Sequence, residues 1–167
     1  MSIEKILLER AEVFTDNSPC VADLAWFAGL FDGEGYIGIL PSRKNRYNSY
    51  HLVIGINMTH YATIKHIRSV WGFGSVNLIK QAHIGKDGCS RKALWRWCVG
   101  PNQSLQVLMI CYPYLVTKKE QAIQAISFQF YKQRPRTWGF RKCRPIIENE
   151  VEETMAKNLR MIREEVV

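Results

Sequence analysis

The spacing of hydrophobic and polar residues predicts helices and strands that alternate along the chain. Apolar residues that recur every three or four positions favour helices, and strict alternation of apolar and polar residues favours strands. We therefore expect helices over residues 3–14, 19–32, 60–71, 103–111, 118–132 and 147–166, and strands over residues 36–42, 50–59, 74–83 and 91–99. Because no linker interrupts the pattern, it predicts one domain over residues 1–167 with a core at about 19–132.

A few capping residues set the predicted ends of these elements. Asn17-Ser18-Pro19 is typical of a helix start, and Gly33 and Gly35 are typical of a helix end. Thr59 is expected to cap the following helix, and the turn Gly85-Lys86-Asp87-Gly88 is expected to join the last two strands.

The element order after the N-terminal helix predicts an α+β fold. Helix, strand, strand, helix, strand, strand and helix follow one another, which favours a four-stranded antiparallel sheet. Helices must cover one face of that sheet to bury its apolar side chains. The other face is then free, and it is the natural place for a ligand.

Composition places the chain among ordinary folded proteins. It has 167 residues, 47% of them hydrophobic and 23% charged, which argues against disorder. No apolar run approaches the ~20 residues of a membrane span, and no signal-peptide block is evident, so we expect an intracellular protein without a membrane partner. The five cysteines lack any CxxC pair, so a zinc site or disulfide framework is not expected, and we interpret them as small buried residues.

The positive charge is concentrated in the middle of the sequence. The formal net charge is +8, but residues 35–147 contain 18 basic residues and only two acidic ones, Asp87 and Glu120, a net charge of +16. Such a field attracts polyanions and makes binding depend steeply on salt. The charge distribution therefore predicts nucleic-acid binding.

The segment FAGLFDGEG at Phe27–Gly35 combines two carboxylates with glycines at the end of the first core helix. Its acidic residues are Asp32 and Glu34. Taken alone, the segment fits a simple helix end with solvated carboxylates. The same helix carries small residues along one stripe, which would let a second helix approach closely: Ala22, Ala25 and Gly29.

These nine residues resemble the conserved dodecapeptide of the LAGLIDADG homing endonucleases. Phe27 stands for the first Leu of that motif, Phe31 for Ile, Gly33 for Ala and Glu34 for Asp. The element order over about 21–132 is also similar to the fold of this family. The resemblance implies an intron-encoded, site-specific endonuclease that hydrolyses both strands of double-stranded DNA at a long, roughly palindromic target. It also implies Mg²⁺ as the cofactor, with Mn²⁺ or Ca²⁺ able to occupy the same sites.

The resemblance further implies roles for the motif residues. Glu34 would be catalytic as a metal ligand, the backbone carbonyl of Gly33 would complete the ligation, and Asp32 would have a structural or supporting role. Single-motif members are similar in size to this chain and act as homodimers through the motif helix, whereas two-motif members are about twice as long. The single motif here therefore implies a homodimer that pairs two half-sites.

Two further residues match positions of the family's active site. Thr117 and Glu120 form a capping-box pattern that would place Lys118 in the first helical turn, an unfavourable position for a cation. The resemblance makes Lys118 the catalytic lysine that stabilises the phosphate, although a solvated lysine remains an alternative. His60 lies where the family often has a water-orienting Gln, and a solvent-facing histidine is again the alternative.

Basic and polar residues along the predicted free face and at both ends of it are the candidates for DNA contact. Arg96 is expected to face DNA because a core-facing arginine is costly, although one β-bulge would invert this choice. The basic segment 132–144 would grip phosphates, and the acidic final helix would pack on the core away from DNA. The full set of candidates is Arg43, Lys44, Asn45, Arg46, Tyr47, His51, Asn57, Asn77, Gln81, His83, Arg96, Lys119, Lys132, Arg134, Arg136, Arg141, Lys142 and Arg144.

Two other functional classes stay open from the sequence. An RNA-binding intron maturase on the same fold, with cleavage lost, would share the basic surface. A generic basic nucleic-acid-binding protein would too, but it gives no reason for the position of Glu34.

Overall fold

The computed structural model describes residues 19–42, 49–134 and 146–165. Three predicted features lie outside these ranges: the helix at 3–14, the loop residues Arg43, Lys44, Asn45, Arg46 and Tyr47, and the basic residues Arg136, Arg141, Lys142 and Arg144.

The described elements follow the predicted order. They are α1 (Val21–Glu34), β1 (Gly35–Pro41), β2 (Tyr50–Met58), α2 (Tyr61–Trp71), β3 (Ser75–Lys80), β4 (His83–Ile84), β5 (Ser90–Arg91), β6 (Leu94–Val99), α3 (Pro101–Cys111), a 3₁₀ turn (Tyr112–Tyr114), α4 (Lys119–Gln133) and α5 (Ile146–Glu165). The four longer strands form an antiparallel sheet in the order β1-β2-β6-β3, and β4 and β5 form a separate two-stranded ribbon. The α+β fold with a four-stranded antiparallel sheet is thus confirmed.

The ends of α1 differ from the sequence prediction. Its N-cap is Cys20, whose Sγ accepts the backbone N–H of Asp23 at 3.4 Å, so the predicted start at Asn17-Ser18-Pro19 was wrong. The helix also continues through Gly33 to Glu34, and Gly35 follows in an extended conformation with φ −75°. Gly35 is required because a Cβ there would collide with the carbonyl and ring of Phe31. Gly35 therefore permits a tight helix-to-strand junction, and neither Gly33 nor Gly35 has a left-handed conformation.

One face of the sheet is buried against the helices. Its side chains join Phe27, Phe31 and other residues of α1 in a single hydrophobic core: Ile37, Ile39, Leu52, Ile54, Ile56, Trp97 and Val99. Along β6, fully buried Trp97 pairs with Ile56, and Arg96 pairs with Asn57 on the opposite face. The prediction that Arg96 faces away from the core is therefore confirmed.

The long hairpin predicted over residues 74–99 is interrupted. A register shift between Leu78 and Lys80 ends the pairing of β3 with β6, and the chain resumes as the β4–β5 ribbon. This irregularity lies beyond Arg96, so it does not invert the side chains of β6. The predicted turn at the tip is present: Gly88 has φ 76°, and its N–H donates to the Gly85 carbonyl at 2.9 Å.

Helix α5 packs antiparallel to α4 and also contacts β1. Glu152, 1% exposed, accepts the Lys132 ammonium at 2.9 Å and the backbone N–H of Tyr50 at 2.9 Å. Glu148 accepts the Arg134 guanidinium at 2.9 Å. We therefore revise the prediction for Lys132 and Arg134, because both cations are paired with carboxylates of α5 where phosphate contacts were expected.

The buried side of α5 is offset from the apolar stripe that the sequence predicts for this helix, which comprises Ile147, Val151, Met155, Leu159, Ile162 and Val166. Glu152, Ala156 and Leu159 are at most 3% exposed, whereas Val151 and Met155 are only half-buried. The reason is the buried carboxylate of Glu152, whose partners on α4 and β2 set the rotation of the helix. None of the described helices is long and apolar enough to span a membrane.

The cysteines are more varied than expected. Cys111 is buried, Cys98 is half-buried, and Cys20 and Cys89 are exposed, all four as free thiols. Burial raises the pKa of the Cys111 thiol, so this residue behaves as the small apolar group that the sequence suggested.

Candidate active site and DNA-binding face

The end of α1 is joined to the start of α4 through Asp32. Its carboxylate accepts the backbone N–H groups of Val116 at 2.7 Å and Lys118 at 2.9 Å. Its backbone carbonyl accepts the Thr117 hydroxyl at 3.3 Å and also the Lys118 ammonium. Residues 116–118 are thereby pinned against the last turn of α1. We call this set of contacts the Asp32 clamp.

The clamp replaces the predicted capping box. Helix α4 begins at Lys119, and its N-cap Lys118 makes no side-chain capping bond. The Thr117 hydroxyl turns to Asp32, so the expected pairing of Thr117 with Glu120 was wrong. The backbone N–H of Lys118 instead donates to the carboxylate of Asp32, which belongs to another helix. Capping rules consider only residues that are close in sequence, so they do not predict this partner.

The clamp brings Lys118 into the electrostatic range of the motif carboxylates. Burial lowers the pKa of Lys118, the charge of Asp32 opposes this, the positive charge of Arg163 lowers it further, and the negative charge of Glu34 raises it. The Lys118 ammonium thus contacts Asp32 and also lies within the reach of the Glu34 charge.

Glu34 and Gly33 present oxygen atoms at the exposed end of α1. Both residues are exposed, and the Gly33 carbonyl is among the last four of the helix, which have no acceptor role within it. Carboxylate and carbonyl oxygens are the donors that Mg²⁺ prefers, so these two residues fit the expected ion. Asp32 fits it less well, because backbone N–H groups occupy both of its carboxylate oxygens.

A single chain supplies only part of a metal site in the region that the structure describes. No cluster of three or more His, Cys, Asp or Glu side chains is present among the described residues. Of the two motif carboxylates, Glu34 is thus the one left available for a cation among the described residues.

His60 lies at the same end of the sheet as Glu34. Gly35 at the start of β1 pairs with Ile56 near the end of β2, and His60 follows four residues later. His60 is itself the N-cap of α2, one residue after the Thr59 that we expected, and it makes no side-chain capping bond. Its Nδ1 forms a 2.7 Å hydrogen bond with the Thr63 hydroxyl, which leaves Nε2 for another partner.

The predicted DNA-contacting residues on the strands share the exposed face of the sheet. Strand register places four of them opposite the core: His51, Asn57, Asn77 and Arg96. The Arg96 Nε donates to the Asn57 Oδ1 at 2.9 Å, and Asn77 pairs with Arg96 from β3. Beyond the break in β3, Gln81 and His83 are exposed, with His83 Nδ1 at 3.1 Å from the Gln81 carbonyl.

Tyr36 is a member of this face that the prediction did not include. The Arg96 Cζ lies 6.0 Å from its ring centroid. Burial raises the pKa of Tyr36, the charge of Arg96 opposes this, and Cys98 raises it further, so the hydroxyl stays protonated at neutral pH as a hydrogen-bond donor. The alternation of β1 already places Tyr36 opposite Ile37, and this signal was available in the sequence.

The predicted dimer stripe lies on the surface of α1. Ala22, Ala25 and Gly29 are exposed, and a Cβ built at Gly29 or at Gly33 meets no atom within 4 Å. Trp26, 39% exposed, lies beside this stripe and packs edge-on against His66 at 4.8 Å between ring centroids. The described part of one chain therefore leaves these small residues uncovered.

Comparison with solved structures identifies this architecture. The homing endonuclease I-CvuI, crystallised with the I-CreI target and Mg²⁺, matches 84% of this chain and 82% of its own length, with a TM-score of 0.62 and 20% identity. The archaeal intron-encoded homing endonuclease I-Vdi141I, in complex with DNA, covers 84% of this chain and 98% of its own, with a TM-score of 0.51 and 10% identity. The chain has the fold of the LAGLIDADG homing endonucleases.

One further solved structure matches this chain over a smaller share of its own length. The LAGLIDADG homing endonuclease I-GzeII in complex with a DNA target aligns with 84% of this chain but only 43% of its own length, with a TM-score of 0.55 and 14% identity. The chain thus spans most of I-CvuI and less than half of I-GzeII. No protein-family model and no curated protein sequence matches the chain.

Within this fold, Lys119 and Arg163 are both exposed. The Nζ of Lys119, a predicted DNA contact, lies 5.1 Å from the Tyr112 ring centroid. The charge of Arg163, on α5, acts on Lys118. Only the packing of α5 against α4 brings it there, so no motif in the sequence indicates it.

Proposed function

We propose that the protein belongs to the LAGLIDADG homing endonucleases and cleaves both strands of a long DNA target in a divalent-metal-dependent reaction. The observation that carries this proposal is the Asp32 clamp. It fixes the Lys118 ammonium against the last turn of α1, the turn that carries Glu34, at the end of a sheet whose exposed face is basic and polar. Phosphodiester hydrolysis needs this combination of a metal-binding carboxylate and a cation.

Glu34 and the Gly33 carbonyl would hold Mg²⁺ in this reaction. The ion supplies an activated water and neutralises the leaving oxygen. Lys118 stabilises the negative charge that develops on the attacked phosphate, because its ammonium is fixed in position before the substrate arrives. His60 orients a water molecule through Nε2, with its ring held by the Thr63 hydroxyl.

A homodimer would bring two copies of this site together. The uncovered stripe of Ala22, Ala25 and Gly29 permits close approach of a second α1, and each chain contributes one Glu34. The coverage of I-CvuI and I-GzeII agrees with one functional half per chain. A two-fold symmetric dimer reads two related half-sites, so the target is expected to be roughly palindromic.

The exposed sheet face would read the DNA sequence in the major groove. Strand β2 has nine residues and spans about 30 Å, the length of about nine base steps. Arg96 is held by Asn57 so that its remaining donors can form a bidentate contact with guanine. Flanking cations bind phosphates and fix the position of the protein.

The direct test is cleavage of a randomised duplex library. We expect the wild-type protein with Mg²⁺ to cut a small set of related sequences, recovered by sequencing the cut ends, and Glu34→Gln to bind the same sequences in Ca²⁺ without cutting them. Cleavage that persists in Glu34→Gln would contradict the assignment of the active site. Tight binding of folded intron RNA, with no DNA cleavage by the wild type, would instead support the maturase alternative.

A further inference from the structure

The C-terminal helix α5 reaches the candidate active site with its last turns. Two ion pairs fix its register on α4: Glu148 with Arg134 and Glu152 with Lys132, so that residue numbers rise along one helix as they fall along the other. The eleven residues from Glu152 to Arg163 span about 16 Å of helix. The same distance counted back along α4 from Lys132 ends at about residue 121, beside the start of α4. Arg163 therefore lies near Lys118.

The rotation of α5 also directs Arg163 toward this site. Glu152, Ala156, Leu159 and Arg163 are spaced by four, three and four residues, which places them on one side of the helix. The first three are 1%, 3% and 2% exposed against the core. Arg163 continues this side but is exposed, so it emerges from the packed interface at the surface next to the Asp32 clamp.

The electrostatics of Lys118 agree with this placement. The positive charge of Arg163 lowers the pKa of Lys118, and the negative charge of Glu34 raises it. No ion pair joins Arg163 to a carboxylate among the described residues, unlike the two basic residues of α4 that α5 neutralises at its other end. The charges of Asp32, Arg163 and Glu34 all act on Lys118, so two cations from distant parts of the chain share this region with the two motif carboxylates.

We propose that Arg163 is a second phosphate-contacting cation of the active site, which binds a phosphate of the strand being cut next to the phosphate that Lys118 contacts. This inference rests on the proposed function. A guanidinium is suited to the role because it binds phosphate through two parallel hydrogen bonds and never loses its charge. A phosphate contact by Arg163 would also give α5 a function beyond packing.

The test compares Arg163→Ala and Arg163→Lys with a matched control, Arg160→Ala. Arg160 is exposed on the same helix and does not contribute to the charges acting on Lys118. The first measurement is the salt dependence of binding to a fluorescein-labelled duplex in Ca²⁺. Arg163→Ala should reduce the slope of log K against log salt by about 0.9 per subunit, the value of one phosphate contact, while Arg163→Lys and Arg160→Ala should keep the wild-type slope.

The second measurement is the single-turnover cleavage rate of bound target with Mg²⁺. Arg163→Ala should lower this rate by at least about tenfold, less than the ~10²–10³-fold loss typical of a preorganised donor because Arg163 is exposed. Arg163→Lys should recover most of the rate. A purely structural role would lower the melting temperature of Arg163→Ala and leave the salt slope unchanged.

The outcomes separate this inference from the proposed function. One outcome is that the wild type cleaves DNA while Arg163→Ala and Arg160→Ala show the same salt slope of binding and the same cleavage rate. That result would overturn the role of Arg163 and leave the proposed nuclease function intact. If the wild type binds DNA without cleaving it, the proposed function fails, and the slope still decides whether Arg163 contacts phosphate. If the wild type binds no DNA, both fail.

Discussion

Asp32 and Lys118 are 86 residues apart in the sequence and are joined by two kinds of hydrogen bond. The Asp32 carboxylate accepts the Lys118 backbone N–H at 2.9 Å, and the Asp32 carbonyl accepts the Lys118 ammonium. One residue thus fixes both the main chain and the side chain of the candidate catalytic lysine. This arrangement assigns Asp32 a positioning role, and it leaves Glu34 as the motif acid available for the proposed metal ion.

Replacing Asp32 is expected to loosen Lys118. In Asp32→Ala, the N–H groups of exposed Val116 and half-buried Lys118 lose their acceptor, and the unsatisfied Lys118 donor costs about 1–3 kcal/mol of unfolding free energy. The rate of cleavage should fall more than DNA binding in Ca²⁺, because the lysine is displaced while the sheet face is intact. Chemical denaturation and single-turnover kinetics measure the two effects. Asp23→Ala, at the other end of α1, is the control, and an equal loss of cleavage in both variants would contradict the positioning role.

Lys118 and Lys119 offer a matched pair for testing the catalytic cation. They are neighbours of the same type, but only the Lys118 ammonium contacts the end of α1, whereas Lys119 lies over the ring of Tyr112. We expect Lys118→Met to lower the cleavage rate by about 10²-fold or more and to retain DNA binding in Ca²⁺. Lys119→Met should leave the rate of the bound complex near the wild-type value. Similar rates for both variants would mean that Lys118 acts only through net charge.

The dimer is tested at Gly29. A Cβ at this position meets no atom within 4 Å in one chain, so Gly29→Leu leaves the fold of the monomer undisturbed. In the proposed dimer, the same side chain would separate the two α1 helices. We expect a shift from dimer to monomer in analytical ultracentrifugation and loss of double-strand cleavage. Ala62→Leu, at an exposed position of α2, is the control, and a Gly29→Leu protein that stays dimeric would place the interface elsewhere.

Sequence readout is tested by changing the geometry of Arg96 at constant charge. Arg96→Lys retains the positive charge but loses the fork that the Asn57 Oδ1 orients. Selection from the randomised library should then show a relaxed preference at one base pair of each half-site, by about 1–3 kcal/mol, with a nearly unchanged salt slope. An unchanged preference profile would show that Arg96 contacts no base.

The fold could be predicted because its signals are local and periodic. Alternation along β6 placed Trp97 in the core and Arg96 on the exposed face, and the structure confirms both. The helix ends could not be predicted equally well. Cys20 caps α1 and Asp32 holds the backbone of Lys118, and neither contact follows from residue preferences within a short window.

The candidate site was predictable only in part for a related reason. Glu34 and Lys118 were predicted through the resemblance of their surrounding motifs, and the charge of Glu34 acts on Lys118 in the structure. Arg163 carries no motif, and it reaches Lys118 only because Glu152 fixes how α5 packs. A buried carboxylate at position 152 contradicts the apolar stripe that the sequence suggested, so the rotation of α5 depends on tertiary partners.

The structural role of Lys132, as the partner of Glu152 in place of a phosphate contact, can be tested separately. Its ammonium lies 2.9 Å from the Glu152 carboxylate, whose side chain is 2% exposed, so Lys132→Met removes one cation from a buried carboxylate. We expect a loss of about 3 kcal/mol of unfolding free energy, the lower end for a broken buried pair because the lysine is itself partly exposed. Adding Glu152→Gln should recover part of this loss, since the neutral amide still accepts the N–H of Tyr50. The salt slope of DNA binding should stay at the wild-type value in both variants. A slope reduced by about 0.9 per subunit in a fully folded Lys132→Met protein would restore Lys132 as a phosphate contact.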